Sequence, residues 1–130
     1  PRSTPKPSSA ASDVYKRQVE VAHLREIIQR RGDRFLRRIF REEELSYCMG
    51  KRDPYPHLAV RFALKEAFFK ALGTGLSRGI TWKDVGVGED RALYINGRAK
   101  EILGDRSVEF SLSHTPCYAV AVVLISTSVS

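Results

Sequence analysis

Hydrophobic residues recur at three- and four-residue spacing along the first half of the chain, which is the pattern of helices with one buried face. The first set consists of Val21, Leu24, Ile27 and Ile28. The second set consists of Phe35, Leu36, Ile39 and Phe40. Gly32 separates the two sets and is a residue type that commonly ends a helix. These patterns predict packed helices from Val19 onward, with the acidic run at 42–44 suited to the first turn of another helix.

A longer helix is predicted over residues 57–72, where apolar side chains lie on nearly all sides. Residues 51–56 contain Pro54 and Pro56, and we interpret them as a loop because proline lacks a backbone N–H and restricts its predecessor. Gly73 and Gly75 then end the helix. A helix that is apolar all round is expected to be largely buried.

The last third of the chain changes to short segments rich in β-branched and aromatic residues, separated by Gly and Asp. We predict strands over 80–87, 92–96, 107–114 and 118–125, with a brief helix over 97–103. Helices followed by such strands predict an α+β domain with an antiparallel sheet packed against helices. The predicted domain covers residues 19–130.

Residues 1–18 are rich in Pro and Ser and show no apolar periodicity, so they could not bury enough surface to offset chain entropy. We expect this N-terminal segment to be disordered, or to be a linker or remnant that does not belong to the fold. The chain carries a net charge of +7, part of it in this segment. Such a charge favours an anionic partner but does not choose among acidic proteins, nucleotides, nucleic acid and membranes.

The rest of the composition makes some of these partner classes less favoured. The chain has no apolar run of membrane-spanning length and no apolar signal-peptide centre, so we expect a soluble cytoplasmic protein with no membrane partner. Cys48 and Cys117 lie far apart and outside any metal-binding spacing, which favours reduced thiols. Nucleic-acid binding is a remote alternative, because the basic residues are not interleaved with exposed aromatics and no recognition motif is present.

Candidate chemistry is concentrated in the 57–72 helix, where charged residues interrupt an otherwise apolar surface. Burying an ion costs several kcal/mol unless it is paired or binds a metal, so these charges need partners. Glu66 and Lys70 are spaced i and i+4 and therefore lie over one face. They form either a helix salt bridge or part of a ligand site.

Two further polar segments extend the candidate site. The segment Gly73–Thr74–Gly75, with Arg78 beyond it, either forms a helix cap or offers free backbone amides to a phosphate. In the segment 111–115, strand alternation places Leu112 and His114 on one face and the Ser and Thr side chains on the other. A Ser-His nucleophile pair is disfavoured there, because adjacent strand residues face opposite ways.

Three segments in this order, RFALKEAFFKALGTGL, GITWKDVGV and SLSHTPCYAVAVVL, resemble the bacterial holo-acyl-carrier-protein synthases, which are small phosphopantetheinyl transferases. The resemblance extends upstream through VEVAHL and RFLRRIF. It implies the 4'-phosphopantetheinyl transferase fold, assembled as a homotrimer with active sites between subunits. It also implies an enzyme that transfers 4'-phosphopantetheine from coenzyme A to a serine of apo acyl carrier protein, with magnesium, in fatty acid biosynthesis.

The resemblance also assigns residues. Glu66 matches the family's metal-ligand glutamate, and Lys70 matches the lysine near the reacting phosphate. Five positions match residues associated with coenzyme A binding: Arg61, Gly73, Thr74, Gly75 and His114. The family's first helix docks the acidic carrier protein, and the basic residues available for docking here are His23, Arg25, Arg30 and Arg31. A solvated helix face is the alternative for that last set.

The sequence departs from the family at its start. Family members begin with a strand of the type G-I-G-x-D, whose aspartate lies three residues before the glutamate matching Glu20. Arg17 stands at that position. One carboxylate binds magnesium poorly and an arginine repels it, so the metal site is the least well supported part of the resemblance. A relative that binds coenzyme A or carrier protein without turnover is therefore the alternative function.

Overall fold

The computed structural model describes residues 12–127 and contains five α-helices and five strands in that part of the chain. The helices are α1 (Val21–Arg31), α2 (Asp33–Ile39), α3 (Glu42–Met49), α4 (Pro54–Leu72) and α5 (Gly97–Leu103). The strands are β1 (Ser12–Glu20), β2 (Val85–Val87), β3 (Leu93–Ile95), β4 (Ser107–His114) and β5 (Tyr118–Ser126). The predicted α+β class, with antiparallel strands and helices, is confirmed.

The main sheet has the order β1-β5-β4 with both pairings antiparallel, and α4 packs against one of its faces. Along β5 the buried positions alternate with half-buried ones, as expected when a single face meets a helix. The buried residues are Ala119, Ala121, Val123 and Ile125. The two small alanines at one end let the backbone of α4 approach the sheet closely, so α4 is enclosed as its composition predicted.

The expectation of disorder over residues 1–18 is wrong for its last part. Ser12–Glu20 forms strand β1, which pairs with β5 along its whole length, from Ser12 opposite Ser126 to Glu20 opposite Tyr118. The pairing satisfies the backbone groups of β1 that face β5, so the strand is held although most of its side chains are polar. Residues 1–11 lie outside the described residues.

Two element boundaries also differ from the predictions. Helix α4 begins at Pro54 and not after Pro56, because a proline in the first turn loses no helical hydrogen bond and Asp53 accepts one from the Tyr55 N–H at 3.2 Å. Only Val85–Val87 of the predicted strand 80–87 forms a strand, and Trp82–Asp84 forms a 3-10 turn. Strand β2 pairs with β3 as a separate two-stranded sheet. Within residues 12–127, no helix combines the length and apolarity needed to cross a membrane.

Candidate active site

One cavity forms where the C-terminal half of α4 meets β1 and the loop after α4. It has a volume of about 260 Å³. Its lining residues are Arg17, Glu66, Phe69, Lys70, Gly75, Leu76 and Trp82. We call it the glutamate cavity. It brings together Glu66, Lys70 and Gly75, three residues that the sequence placed in one candidate site.

Glu66 is bound to Arg17 and not to the residue one turn along its own helix. The Arg17 Nε donates to Glu66 Oε1 at 3.0 Å, with side-chain exposures of 51% and 23%. Strand β1 places Arg17 here by pairing it with Ala121 of β5, beside α4. The position where the family resemblance predicts an aspartate therefore faces Glu66, and an arginine occupies it.

The residues present do not fit a magnesium ion. Magnesium requires several oxygen ligands in octahedral geometry, whereas this cavity supplies one carboxylate that already accepts from a guanidinium. Among the described residues, no group of three or more His, Cys, Asp or Glu side chains is arranged to hold a metal. The positive charge beside Glu66 comes instead from the side chains of Arg17 and Lys70.

The glycine segment after α4 is a cap whose amides are already used. Gly73 is in the left-handed region with φ 90° and ψ 6°, and its N–H donates to Phe69 O and Lys70 O. The Gly75 N–H also donates to Phe69 O, and the Thr74 hydroxyl donates to Gly75 O. Of the two alternatives for this segment, the structure therefore shows the helix cap, because the amides of Gly73 and Gly75 satisfy carbonyls that the end of the helix leaves free.

A second cavity, of about 210 Å³, lies toward the N-terminal half of α4. Its lining residues are Tyr47, His57, Val60, Arg61, Val87, Arg91, Leu112, Ser113 and His114. We call it the histidine cavity. It brings Arg61 and His114 together, two of the residues assigned to coenzyme A binding, but shares no lining residue with the glutamate cavity.

Arg61 is the anchor of the histidine cavity. Only 5% of the residue is exposed, and its Nε has no hydrogen-bond partner. Its Nη1 donates to the His57 carbonyl at 3.3 Å, and the guanidinium lies 4.7 Å from the centre of the Tyr47 ring. Burying a cation with an unsatisfied Nε is costly, and an anion bound in the cavity would offset part of that cost through its charge.

The two histidines of this cavity pack against each other, with ring centroids 4.8 Å apart and planes inclined by 64°. Partial burial lowers the pKa of His57 below its usual value of 6.5, and His114 and Arg61 lower it further. Burial, Arg61 and Arg91 likewise lower the pKa of His114. Both shifts favour the neutral imidazole in the chain without a ligand.

The predicted carrier-protein docking residues are divided by the structure. His23 and Arg30 are exposed and seven residues apart on α1, so they share a face. Arg25 is half-buried and turned elsewhere, 3.8 Å from Asp53 and 5.0 Å from the centre of the Tyr55 ring. Arg31 borders a surface depression with Arg34, Phe35, Arg37 and Arg38 of α2.

Sequence reasoning missed His57, Arg91 and the arginines of α2. His57 lies four residues before Arg61 on α4, so the i,i+4 spacing could have drawn attention to it. Arg91 belongs to the turn between β2 and β3 and has a positive φ of 65°. Nothing in the local pattern of that turn connects it with α4.

Comparison with known proteins places this architecture in a family. The sequence model of the 4'-phosphopantetheinyl transferase superfamily matches residues 19–123. A holo-[acyl-carrier-protein] synthase of Koribacter versatilis is 43% identical over 114 residues, covering 82% of this chain and 91% of the relative. The residues matched by the family model include every lining residue of the two cavities except Arg17, which precedes the match.

Solved structures agree with the sequence match. The holo-[acyl-carrier-protein] synthase of Neisseria meningitidis superposes with a TM-score of 0.74 at 28% identity, covering 87% of this chain and 96% of its own. The Helicobacter pylori synthase in complex with coenzyme A gives 0.72 at 26% identity, covering 86% and 98%. The sequence motifs, the helix-on-sheet fold and both comparisons agree, and this chain belongs to the holo-[acyl-carrier-protein] synthases of the 4'-phosphopantetheinyl transferase superfamily.

Proposed function

We propose that this chain transfers 4'-phosphopantetheine from coenzyme A to a serine of an apo acyl carrier protein. The observation that carries the proposal is the glutamate cavity, where Glu66 and Lys70 project from one face of a helix into one space. Family membership supports the substrate pair, since a relative of the same fold is described in complex with coenzyme A. We assign the activity to the cytoplasm and to fatty acid biosynthesis on the same grounds.

The chemistry is a phosphoryl transfer driven by positioning and charge neutralisation. The serine hydroxyl oxygen bonds to the phosphorus that carries pantetheine, the diphosphate P–O bond breaks, and adenosine 3',5'-bisphosphate leaves. Lys70 and Arg17 are the cations that line the glutamate cavity and offset the charge on the departing oxygen. Glu66 is its carboxylate within the described chain, and we assign it to accept the hydroxyl proton.

The coenzyme A residues that line the histidine cavity, Arg61 and His114, support a site shared between subunits. Arg61 and Glu66 are five residues apart on α4, which turns them roughly 140° from each other around the helix axis. One coenzyme A molecule would then use the glutamate cavity of one subunit and the histidine cavity of the next. This arrangement requires the homotrimer that the family resemblance implies.

Carrier-protein docking is assigned to the exposed basic face formed by α1 and α2. We retain His23 and Arg30 from the predicted set and add Arg34 and Arg38 of α2, which border the depression around Phe35. A half-buried aromatic ring within cationic side chains suits an acidic helix that also presents apolar residues. Arg25 is left out because Asp53 and Tyr55 already hold it.

Magnesium stays a prediction from the family alone. The Arg17–Glu66 ion pair is also the observation that favours the alternative function, a relative that binds coenzyme A without turnover. Both questions are answered by varying residue 17. An aspartate there would restore a second carboxylate beside Glu66 and remove the competing cation.

The decisive experiment is mass spectrometry of apo acyl carrier protein after incubation with this chain and coenzyme A, with magnesium or with a chelator. We expect the mass gain of one phosphopantetheine group, lost in both Glu66→Ala and Lys70→Ala because each removes a group of the reacting cavity. The Arg17→Asp variant is expected to react faster than the unaltered chain, and only when magnesium is present.

The outcomes separate the two functions. A mass gain with Arg17→Asp but none with the unaltered chain establishes the impaired relative. No gain with either chain, while both bind coenzyme A, rejects the proposed transfer. Lys100→Gln serves as a charge-loss control, since this exposed lysine lies on α5 and lines neither cavity.

A further inference from the structure

The residues that line the histidine cavity and its surroundings carry more positive than negative charge. Arg61 and Arg91 line it, and the adjoining surface depression, which shares His57 and His114, adds Lys51 and Arg52. The lining of the histidine cavity itself includes no carboxylate. A concave surface with several cations and no lining anion is built for an anionic ligand.

The one carboxylate bordering the depression is already engaged. Asp53 accepts from the Tyr55 N–H at 3.2 Å as the cap of α4, and lies 3.8 Å from Arg25. It therefore does not neutralise Arg61, for which the described residues show a backbone carbonyl and an aromatic ring as partners and no carboxylate. The buried guanidinium and the surrounding cations therefore both favour an anion as the ligand of this cavity.

His57 and His114 line both the histidine cavity and the adjoining depression, and their rings contact each other. Every packed element presents a group to this pair. Those groups are Tyr47 of α3, Lys51 and Asp53 of the loop before α4, Arg61 of α4 and Arg91 of the β2–β3 turn. The cations outnumber the single carboxylate, which favours the neutral imidazoles until an anion changes the balance.

We propose that His57 is a further ligand-binding residue beside Arg61 and His114, which the resemblance already assigns to coenzyme A, and that the histidine pair takes up a proton when a phosphate monoester dianion of that ligand binds. The inference rests on the proposed function for the identity of the ligand. Coenzyme A carries one diphosphate and one 3'-phosphate monoester. With the diphosphate in the glutamate cavity, the monoester is the group left for the histidine cavity.

The physical reason for proton uptake is linkage. A nearby dianion favours the imidazolium form, so the pKa of each histidine, lowered in the free chain, rises in the complex. A group whose pKa rises on binding makes the complex tighter as the pH falls. The affinity for coenzyme A is thus expected to increase from pH 8 toward pH 6.5, by at most about tenfold per pH unit for each proton taken up.

Isothermal titration of the full chain with coenzyme A tests the proposal, run at pH 7 in buffers of different ionisation enthalpy. The dependence of the measured heat on the buffer gives the number of protons taken up. We expect net uptake for the unaltered chain, and a smaller uptake with several-fold weaker binding for His57→Phe, whose ring fills the same space but cannot be protonated. With 3'-dephospho-coenzyme A, uptake is expected to disappear.

A second measurement does not depend on any variant. The chain contains three histidines, so NMR titration of the imidazole C–H signals can follow each one. Coenzyme A is expected to raise the pKa of His57 and that of His114, the two histidines that line the cavity. Unchanged pKa values at His57 and His114 would overturn the proposal.

Different results would reject the histidine site and the transferase function. Coenzyme A binding without proton uptake, or with equal uptake for 3'-dephospho-coenzyme A, removes the histidine site and leaves the transferase proposal standing. Absence of any coenzyme A binding, at every pH tested, overturns both.

Discussion

At the scale of single residues, the strongest constraint on this fold is the buried charge of Lys65. Its side chain is fully buried in the middle of α4, and its ammonium group donates to Glu44 Oε1 at 2.9 Å, Trp82 O at 3.1 Å and Val85 O at 2.6 Å. All three donors are used, so the cation is fully satisfied. Burial still lowers the pKa of Lys65, while Glu44 opposes that shift. This lysine joins α3, α4 and the turn before β2.

Replacing Lys65 with methionine is expected to reduce the free energy of unfolding by about 3–5 kcal/mol. Methionine fills a similar volume, but the Glu44 carboxylate then stays buried without its cation, and two backbone carbonyls lose their donor. Urea unfolding followed by circular dichroism measures the change. Lys100→Met, at an exposed position on α5, should stay within about 0.5 kcal/mol of the unaltered chain. A Lys65→Met variant as stable as this control would contradict the role of the ion pair.

At the scale of elements, helix α4 is stopped by backbone geometry and not by side chains. Gly73 has φ 90° and an added Cβ would meet no atom within 4 Å, so the only cost of a side chain there is the left-handed backbone. Gly50 ends α3 with φ −79°, a conformation that any residue adopts easily. An alanine at Gly73 would strain the backbone, whereas an alanine at Gly50 would not. Comparing the two substitutions therefore measures the cost of the left-handed conformation.

We expect Gly73→Ala to destabilise the chain by about 1–2 kcal/mol, the cost of an L-residue in the left-handed region. Gly50→Ala should be neutral or stabilise by up to about 1 kcal/mol, because it restricts the unfolded chain without straining the folded one. Urea unfolding of the two variants side by side gives the comparison. Equal effects at Gly73 and Gly50 would show that the left-handed cap is not what terminates α4.

At the scale of the whole molecule, the proposed ligand groups divide between two cavities. Glu66 and Lys70 line one of them, and Arg61 lines the other with His57 and His114. A single coenzyme A molecule can use both groups if neighbouring subunits of a homotrimer each contribute one cavity. Subunit mixing tests this division directly, because it recombines the cavities of different chains.

Co-expression of Glu66→Ala with Arg61→Gln is expected to restore transfer that neither variant has alone. Random assembly in a cyclic homotrimer pairs an intact glutamate cavity with an intact histidine cavity at about a quarter of the sites. The assay is the same mass measurement on apo acyl carrier protein, with the two chains carrying different tags. Glu66→Ala mixed with Lys70→Ala is the matched control and should recover nothing, since both changes affect one cavity. Recovery in neither mixture would argue against shared sites.

The amino-acid sequence alone was enough to predict the helices with clear apolar periodicity, the alternation of β4, the burial of α4 and the motif that identifies the family. These features depend on spacing between nearby residues, and Gly73 ends α4 where the pattern predicted. Local spacing also showed that the charges of α4 needed partners, without showing which. The polar composition of residues 12–18 misled for the same reason, because a strand can be held by backbone pairing with a distant strand.

Only the tertiary structure decided which distant groups meet. Lys65 receives Glu44 from α3, Glu66 receives Arg17 from β1, and Arg61 faces His114 from β4. Each meeting depends on how α4 lies across the sheet and on the register of β1 against β5, which no pattern within a single element contains. The separation of Glu66 from Arg61 into two cavities has the same origin, since a buried helix presents different faces to different neighbours.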